Sequence, residues 1–441
     1  MPLSAQEQYL LELINRGRLD PLAEAARYGI DLNAGLAPGT ISTSAKQVLA
    51  PNALLESAAI GHSKWMLATD IFSHTGANGS TLATRANAAG YQWNNLGENI
   101  AVWGTSGSLN LTSAIDAHHK GLFLSTGHRT NLMNATLNEV GIAQESGRFA
   151  FSGGTELNAS MLTELFGSKS GAKFLTGVTY TDTNRDGFYS VGEGKGGTVF
   201  KVGTVSATTE AAGGYALGVT APGEALVSGR AGNISFTATL DFSGGNVKLD
   251  VVNGVTFQSS ANIKLGTGIA NVDLLGVANL SATGNAANNI INGNAGHNAI
   301  LGNSGNDVID GRGGNDVLSG GLGNDRLLGN AGNDWLIGDS GLDYLHGGAG
   351  SDRMNGGLQA DQFVFGNFGG ADVIEDFSAG QADRLLLNDD LWAGRLTTAQ
   401  IVNNFASVTA AGVVFNFGDG DTLTLQGVTS TAGLSGAILI W

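Results

Sequence analysis

The sequence predicts a multidomain chain: an α/β region, then a small all-β module, then a parallel β-roll with a β-rich cap. Three observations carry this. Composition shifts along the chain, glycine turns punctuate everything after residue 172, and from Gly284 to Val364 a nine-residue pattern repeats without a gap. In residues 1–167 apolar side chains recur at helical spacing. Tyr9, Leu10, Leu13 and Ile14, and later Leu54, Leu55, Ala58 and Ala59, each fill one helix face. Ser168–Ala172 reads as a small polar linker, and 173–256 as short alternating runs between glycine turns, the pattern of strands without helices. Residues 257–283 form a degenerate lead-in with Leu265, Leu274 and Leu280 inward, since the first coil of an array is atypical. Each nonapeptide of 284–364 then places glycine first, usually glycine fourth, Asp or Asn sixth and an apolar residue eighth. The roll is expected over 257–365. Residues 366–441 are read as a cap of a few strands, Asp372–Phe377 and Asp419–Val428, with a polar tail and an apolar end, GAILIW.

Each part of the nonapeptide has a physical role. The eighth positions, Ile291, Ile300, Ile309, Leu318, Leu327, Leu336, Leu345, Met354 and Phe363, are all apolar and face inward. The glycines of the repeat, at the first position (including Gly302, Gly311, Gly320, Gly329, Gly338 and Gly347) and the fourth, are expected to let the backbone turn through positive φ and to bring carbonyl oxygens to a shared point. The sixth positions begin as Asn289 and Asn298 and continue as Asp307, Asp316, Asp325, Asp334, Asp343, Asp352 and Asp361, supplying the hard oxygens that Ca²⁺ prefers. Two nonapeptides make one coil, so Asp307 should stack over Asp325, Asp316 over Asp334, and so on to Asp361. At a strand spacing of about 4.8 Å, each unneutralised pair repels by about 1 kcal/mol in water and about 3 kcal/mol at an effective dielectric of about 20. The roll should therefore close only around several divalent ions. This register resembles the RTX nonapeptide family. The resemblance implies a protein secreted by a Gram-negative bacterium through a type I secretion apparatus, which reads an uncleaved C-terminal signal.

A second motif lies in the all-β module. Asp182, Asn184, Asp186, Gly187, Phe188, Ser190 and Glu193 occupy positions 1, 3, 5, 6, 7, 9 and 12 of an EF-hand-type calcium loop. Val178–Thr181 and Gly196–Val202 read as strands, so the loop lies between strands rather than helices. Gly177–Tyr215 resembles the B-type, transthyretin-like calcium modules of bacterial surface proteins, which implies a small β-sandwich.

Charge agrees with metal binding. The chain has 22 basic and 38 acidic residues, a net charge of -16, and residues 284–441 hold 5 of the basic and 17 of the acidic ones. Such a balance argues against nucleic acid or an anionic membrane as partner and favours cations. There is no cysteine, so disulfides and thiolate sites are excluded. No apolar run is long enough for a transmembrane segment. Met1–Leu13 lacks a basic leader and an apolar core, so no cleaved N-terminal signal is expected.

The N-terminal region carries, in order, His62 in AAIGHSKWM, His74 in DIFSHTGANG, Glu98 in LGENIAVW, His128 in STGHRTNLMN, and NEVGIA at Asn138–Ala143. That succession resembles the CAP superfamily of cysteine-rich secretory and pathogenesis-related proteins, in a cysteine-free bacterial form. The resemblance implies an α/β/α sandwich in which two His and two acidic residues surround a cleft, and it assigns His74, Glu98 and His128 there; His62 either lies near the cleft or is a satisfied core histidine on the helix that bears Trp65 and Met66. The second acid has no counterpart, because Gly121–Ser125 offers no Glu and Ser125 stands in its place. Adjacent His118 and His119 should diverge on a helix and face solvent. Two imidazoles and a carboxylate can bind Zn²⁺, polarise a water, or hold loops by hydrogen bonds, and these remain open. No catalytic residue is assigned. The favoured reading is a secreted calcium-binding protein whose CAP domain recognises an extracellular lipid, glycan or protein. The alternatives are an extracellular metal-dependent hydrolase using the cleft and a structural surface or matrix protein.

Overall fold

Ser4 starts the first helix: its hydroxyl accepts the Glu7 amide while the Glu7 carboxylate accepts the Ser4 amide, closing a capping box. In this computed structural model, which describes residues 2–151, 153–367 and 369–441, the helix runs as α1 (Ala5–Leu19) and buries Leu10, Leu13 and Ile14 as expected. Asp20 caps α2 (Pro21–Arg27), whose proline costs nothing at the first turn. Four more helices follow: α3 (Ala53–Thr69), α4 (Leu82–Ala88), α5 (Leu111–Leu124) and α6 (Thr126–Leu132). On α3, Leu55 and Ala59 are fully buried, but Leu54 points outward at 40% exposure, because it lies at the rim of the apolar stripe.

Strands β1 (Ala50–Pro51), β2 (Asn95–Thr105), β3 (Glu139–Ala150) and β4 (Glu156–Ser168) form a sheet in the order β1-β3-β4-β2. All pairs are antiparallel except β1 with β3. Alternation along β3 and β4 sorts their side chains to two faces. Val140, Ile142, Leu162 and Phe166 join Leu10, Ile14, Ile115 and Leu132 from α1, α5 and α6. Ala143 and Leu165 join Leu55 and Ala59 of α3, while Phe149, Ala159 and Met161 join Met66. The result is a three-layer α/β/α sandwich. Gly141 is required where α3 crosses, since a Cβ there would lie 2.1 Å from the Glu56 nitrogen.

The all-β module comprises β5 (Lys173–Tyr180), β6 (Val199–Val202), β7 (Val205–Thr208), β8 (Gly214–Val219), β9 (Glu224–Ala231), β10 (Ile234–Asp241) and β11 (Val247–Val252). β5 pairs antiparallel with β8 and parallel with β11, and β6 pairs antiparallel with β7 and β9. Phe200 and Tyr215 stack across this module with ring centroids 3.8 Å apart. The chain folds as two compact units, Met1–Ser235 with Leu240–Gly254, and Phe236–Thr239 with Val255–Trp441. Within the first, buried Lys248 of β11 bonds Glu12 of α1 at 2.8 Å and also Asp250, locking the module to the sandwich.

In the second unit, short strands repeat in parallel at a register of 18 residues, as Ile309 beside Leu327 and Leu318 beside Leu336. This is two nonapeptides per coil. All nine eighth-position residues are at most 3% exposed. In the lead-in, Leu274 is inward and Leu265 nearly so, whereas Leu280 is only half-buried outside the strands. Ala282 takes its place on strand Ser281–Thr283, because this coil does not keep nonapeptide spacing. Beyond Phe365 the coils continue through Ala371–Ile374, Arg384–Leu387, Asp421–Gln426 and Ile438–Ile440, each paired in parallel with an earlier turn. The expected polar tail is corrected here. Val413, Phe415, Leu423 and Leu425 are wholly buried, and helix Thr398–Phe405, started by a Thr397–Gln400 capping box, lies in the cap.

Candidate functional site

The aspartates stack as their spacing predicts. Oδ1 of Asp325 accepts the Asp307 amide at 2.7 Å, and the same bond joins Asp316 to Asp334, Asp325 to Asp343, Asp334 to Asp352 and Asp343 to Asp361 at 2.7–3.0 Å. Upstream, the Asn289 and Asn298 amides bond Asp307 and Asp316 in the same way. The other oxygen, Oδ2, is buried and unpartnered in Asp307, Asp316, Asp325, Asp334, Asp343 and Asp352. A buried carboxylate oxygen without a partner is costly. Burial accordingly pushes Asp307 and Asp361 up to about 6, and Asp316, Asp343 and Asp352 up to about 7.

The first-position glycines explain where those oxygens point. A Cβ on Gly302 would meet Asp307 Oδ2 at 2.4 Å and the Gly320 carbonyl at 2.5 Å; one on Gly329 would meet Asp334 Oδ2 and the Gly347 carbonyl, both at 2.4 Å. Gly311, Gly320, Gly338 and Gly347 each crowd the Oδ2 of their own repeat's aspartate in the same way. Carboxylate and carbonyl oxygens therefore gather beside one glycine per repeat, a donor set that fits calcium. Among the repeat glycines, the first-position ones do not take positive φ. Left-handed backbone falls instead at the second position, as in Asn303, Arg312, Asn330 and Asp339, and at fourth-position glycines such as Gly305 and Gly332. The ladder also extends beyond the repeats, since Asp372 accepts the Asp352 amide at 2.9 Å and Asp383 the Asp361 amide at 3.0 Å. Their spacings of 20 and 22 residues hid them from the nonapeptide register.

The loop between β5 and β6 is built for oxygen ligands. Asp182 accepts the Asp186 and Gly187 amides at 3.2 and 3.1 Å, and Gly187 turns at φ 73°. The Asn184 amide lies 2.9 Å from Asp186 and 3.2 Å from Ser190, so three ligand positions meet. Glu193 accepts from the Thr183 hydroxyl and the Thr183 and Ser190 amides at 2.7–2.9 Å. Burial opposes its ionisation, but these bonds prevail and hold its carboxyl below the usual range. Phe188 packs edge-on to Tyr9 of α1 at 6.3 Å with the Arg16 guanidinium 5.0 Å over its ring.

In the sandwich, β2 supplies Glu98, α6 supplies His128, and the loop after α3 supplies His74. His74 Nδ1 lies 2.8 Å from Glu98 Oε1, and the His74 and His128 rings are 6.5 Å apart. Arg85 of α4, which sequence reasoning missed, takes the other Glu98 oxygen. Burial, and then His74, push the His128 pKa down. Beneath them Asn131 bonds the Glu98 carbonyl and Asn99, and Asn99 bonds Glu164 at 2.9 Å. Burial raises Glu164 to about 8, so an acid does lie under the cleft, but in the core. Ser125 is the N-cap residue of α6 without a side-chain cap bond. His62 is buried on α3 and stacked on Trp65, beside Arg85 but without a hydrogen bond to His74, Glu98 or His128. His118 and His119 are both buried rather than solvated: α5 lies between the sheet and α2, so His118 bonds Ser160 and His119 bonds Glu24, each at 3.0 Å.

Among the described residues, no three His, Asp or Glu side chains are grouped to hold a metal ion. In the cleft, both Glu98 oxygens are already engaged by His74 and Arg85, so the donors do not fit Zn²⁺ as arranged. In the roll, main-chain carbonyls of first-position glycines lie beside the aspartate oxygens.

Residues 11–149 match the family model of the cysteine-rich secretory protein family, CAP. Residues 282–308, 292–327 and 328–363 each match the RTX calcium-binding nonapeptide repeat. The chain therefore carries a region matching CAP followed by RTX calcium-binding repeats, a combination that supports a calcium-binding protein of extracellular type. Among solved structures it is similar to an extracellular protein containing an SCP domain from Bacillus anthracis, at 26% identity over 28% of this chain and 35% of that one, TM-score 0.21. It is also similar to an outer surface protein from Borrelia burgdorferi, at 19% identity over 28% of this chain and 78% of that one, TM-score 0.20. The extracellular lipase LipA from Serratia marcescens matches at 16% identity over 40% and 41%, TM-score 0.19. The chain spans about a third of the length of the Bacillus protein. No curated protein matches it.

Proposed function

We propose that this is a secreted protein whose roll and β-module loop take up Ca²⁺ outside the cell and whose CAP domain is a ligand-binding module. One observation carries the calcium reading: six stacked aspartates each bury an oxygen that no protein group satisfies, beside glycine carbonyls of the same coils. The ligands in the roll are Asp307, Asp316, Asp325, Asp334, Asp343, Asp352 and Asp361 with the carbonyls of Gly302, Gly311, Gly320, Gly329, Gly338 and Gly347. In the loop they are Asp182, Asn184, Asp186, the Phe188 carbonyl, Ser190 and Glu193, in a module of transthyretin-like type. Export runs through a type I apparatus, in which the low calcium of the cell keeps the roll open.

Circular dichroism of the full chain, with and without chelator, tests the calcium reading. Loss of strand signal with retained helix signal is expected, and an unchanged spectrum would remove it. A chain ending at Phe365 is expected to stay in the producing cell, and its normal appearance in the medium would discount residues 366–441 as the signal.

A further inference from the structure

Between α3 and α4 lies a pocket of about 320 Å³, bordered by His62, Trp65, Ala77, Arg85, Ala88 and Ala89. Its walls are mostly methyl groups and an indole. Four polar residues border it, Ser57, His62, Ser80 and Arg85, and the protein leaves buried atoms of two of them, His62 and Arg85, without a partner. His62 is 1% exposed, lies flat against Trp65 with ring centroids 5.6 Å apart, and makes no hydrogen bond from either ring nitrogen. The Ser73 backbone stands nearby, outside hydrogen-bond geometry. Arg85 donates to the His74 and Ser80 carbonyls at 3.1 and 3.0 Å and to Glu98, yet its Nε–H is buried without an acceptor. Gly76 leaves room over the imidazole, since a Cβ there would stand 3.0 Å from His62 Nδ1.

Buried polar groups are nearly always bonded, so three such atoms on one pocket call for a partner. Glu98 already meets the charge of Arg85, which leaves no demand for an anion. What remains is one donor at Nε and, on a neutral imidazole, one donor and one acceptor. A cation would face the guanidinium and is excluded by repulsion. We propose that this pocket binds a compact, uncharged molecule with an alkyl body and a carboxamide or hydroxyl head. The head accepts from Arg85 and bonds His62, while the body lies against Trp65 and the alanines. This names the ligand class of the CAP domain and rests on reading that domain as a binding module, but it requires nothing of His128.

The test is calorimetric titration of the calcium-loaded full chain with hexanamide, 1-hexanol, hexanoate and hexylamine. Wild type is compared with His62→Phe, which keeps the aromatic stack and removes only the nitrogens, and with Ala88→Trp, which fills the pocket from an exposed position. A neutral probe should bind wild type at least about tenfold more tightly than hexylamine, and each variant should lose at least about tenfold in affinity with no fall in melting temperature. Absence of heat with both neutral probes would mean a pocket filled by solvent only and would overturn the proposal, as would binding that both variants retain. Native mass spectrometry of the three proteins after exposure to spent culture medium separates this from the broader reading. An adduct retained by both variants would leave the CAP domain a binding module and sink the pocket, whereas no adduct even on wild type would count against both.

Discussion

In the CAP sandwich Arg18 is wholly buried and gives its guanidinium to the carbonyls of Gln47, Leu132, Asn134 and Leu137 at 2.7–3.0 Å. Glu24 is equally enclosed and is held by Arg16 and His119 at 2.8–3.0 Å; burial opposes its ionisation, but these bonds bring its pKa down to about 2. In the roll the aspartates are as deeply buried, yet six keep an oxygen with no partner. At these two charged groups the sandwich closes its electrostatics with its own side chains and carbonyls. The roll leaves that closure to a solute, and so makes its fold conditional on where it is.

Removing calcium should split the two regions most sharply. Chelation should cut amide-exchange protection across 284–364 by at least about 100-fold while β3 and β4 keep theirs. Equal loss in both regions would end the contrast. Next in size, Arg18→Ala strands four carbonyls, two of them buried, and should cost the sandwich about 3 to 5 kcal/mol in chemical denaturation, leaving the calcium midpoint of the roll unmoved. Gly329→Ala does the reverse. Its methyl would meet Asp334 Oδ2 and the Gly347 carbonyl at 2.4 Å, so it should cost the roll about 1 to 3 kcal/mol and raise the calcium needed to fold it, with the helical signal intact.

The remaining signal is a pH slope. Glu164 is raised in the folded chain to about 8, so the native state holds its proton more tightly than the unfolded state. Its contribution is whole below the unfolded pKa of about 4.3 and is lost as pH rises through about 8, at up to about 1.4 kcal/mol per pH unit. With calcium saturating, the melting temperature of the sandwich should fall more steeply over that window in wild type than in Glu164→Gln. Identical slopes would mean that Glu164 is ionised in the native state.

How much of this was legible follows from how local each feature is. Inward Ile309 and Leu327 and stacked Asp307 and Asp325 are fixed by a spacing that anyone can count. The left-handed turns at Asn303, Arg312 and Asn330 were not, because the second position varies in residue type while the backbone there does not. Asp372 and Asp383 escaped because two and four extra residues shift them out of register. In the sandwich, His74 and Glu98 could be paired through their motifs, but Arg85 is joined to Glu98 only where α4 meets β2. Glu164 and Asn99 are 65 residues apart in the chain and meet only across the sheet. His118 and His119 were misplaced because α5 turns both toward covered faces, against Ser160 and Glu24, and leaves Asp116, Lys120 and Gly121 to solvent.

Every carboxylate of the aspartate ladder reaches back to the amide of the turn before it, so a half-built roll has a finished edge on one side and a row of unmet amides on the other. The final donors in that row are met by Asp372 and Asp383 of the cap. Growth of the roll then resembles a crystal advancing from a seed face, with the seed lying near the end of the chain and the front travelling toward its beginning. Pulse-labelled exchange after calcium addition would see the cap protected first, and the reverse order would show that the seed lies elsewhere.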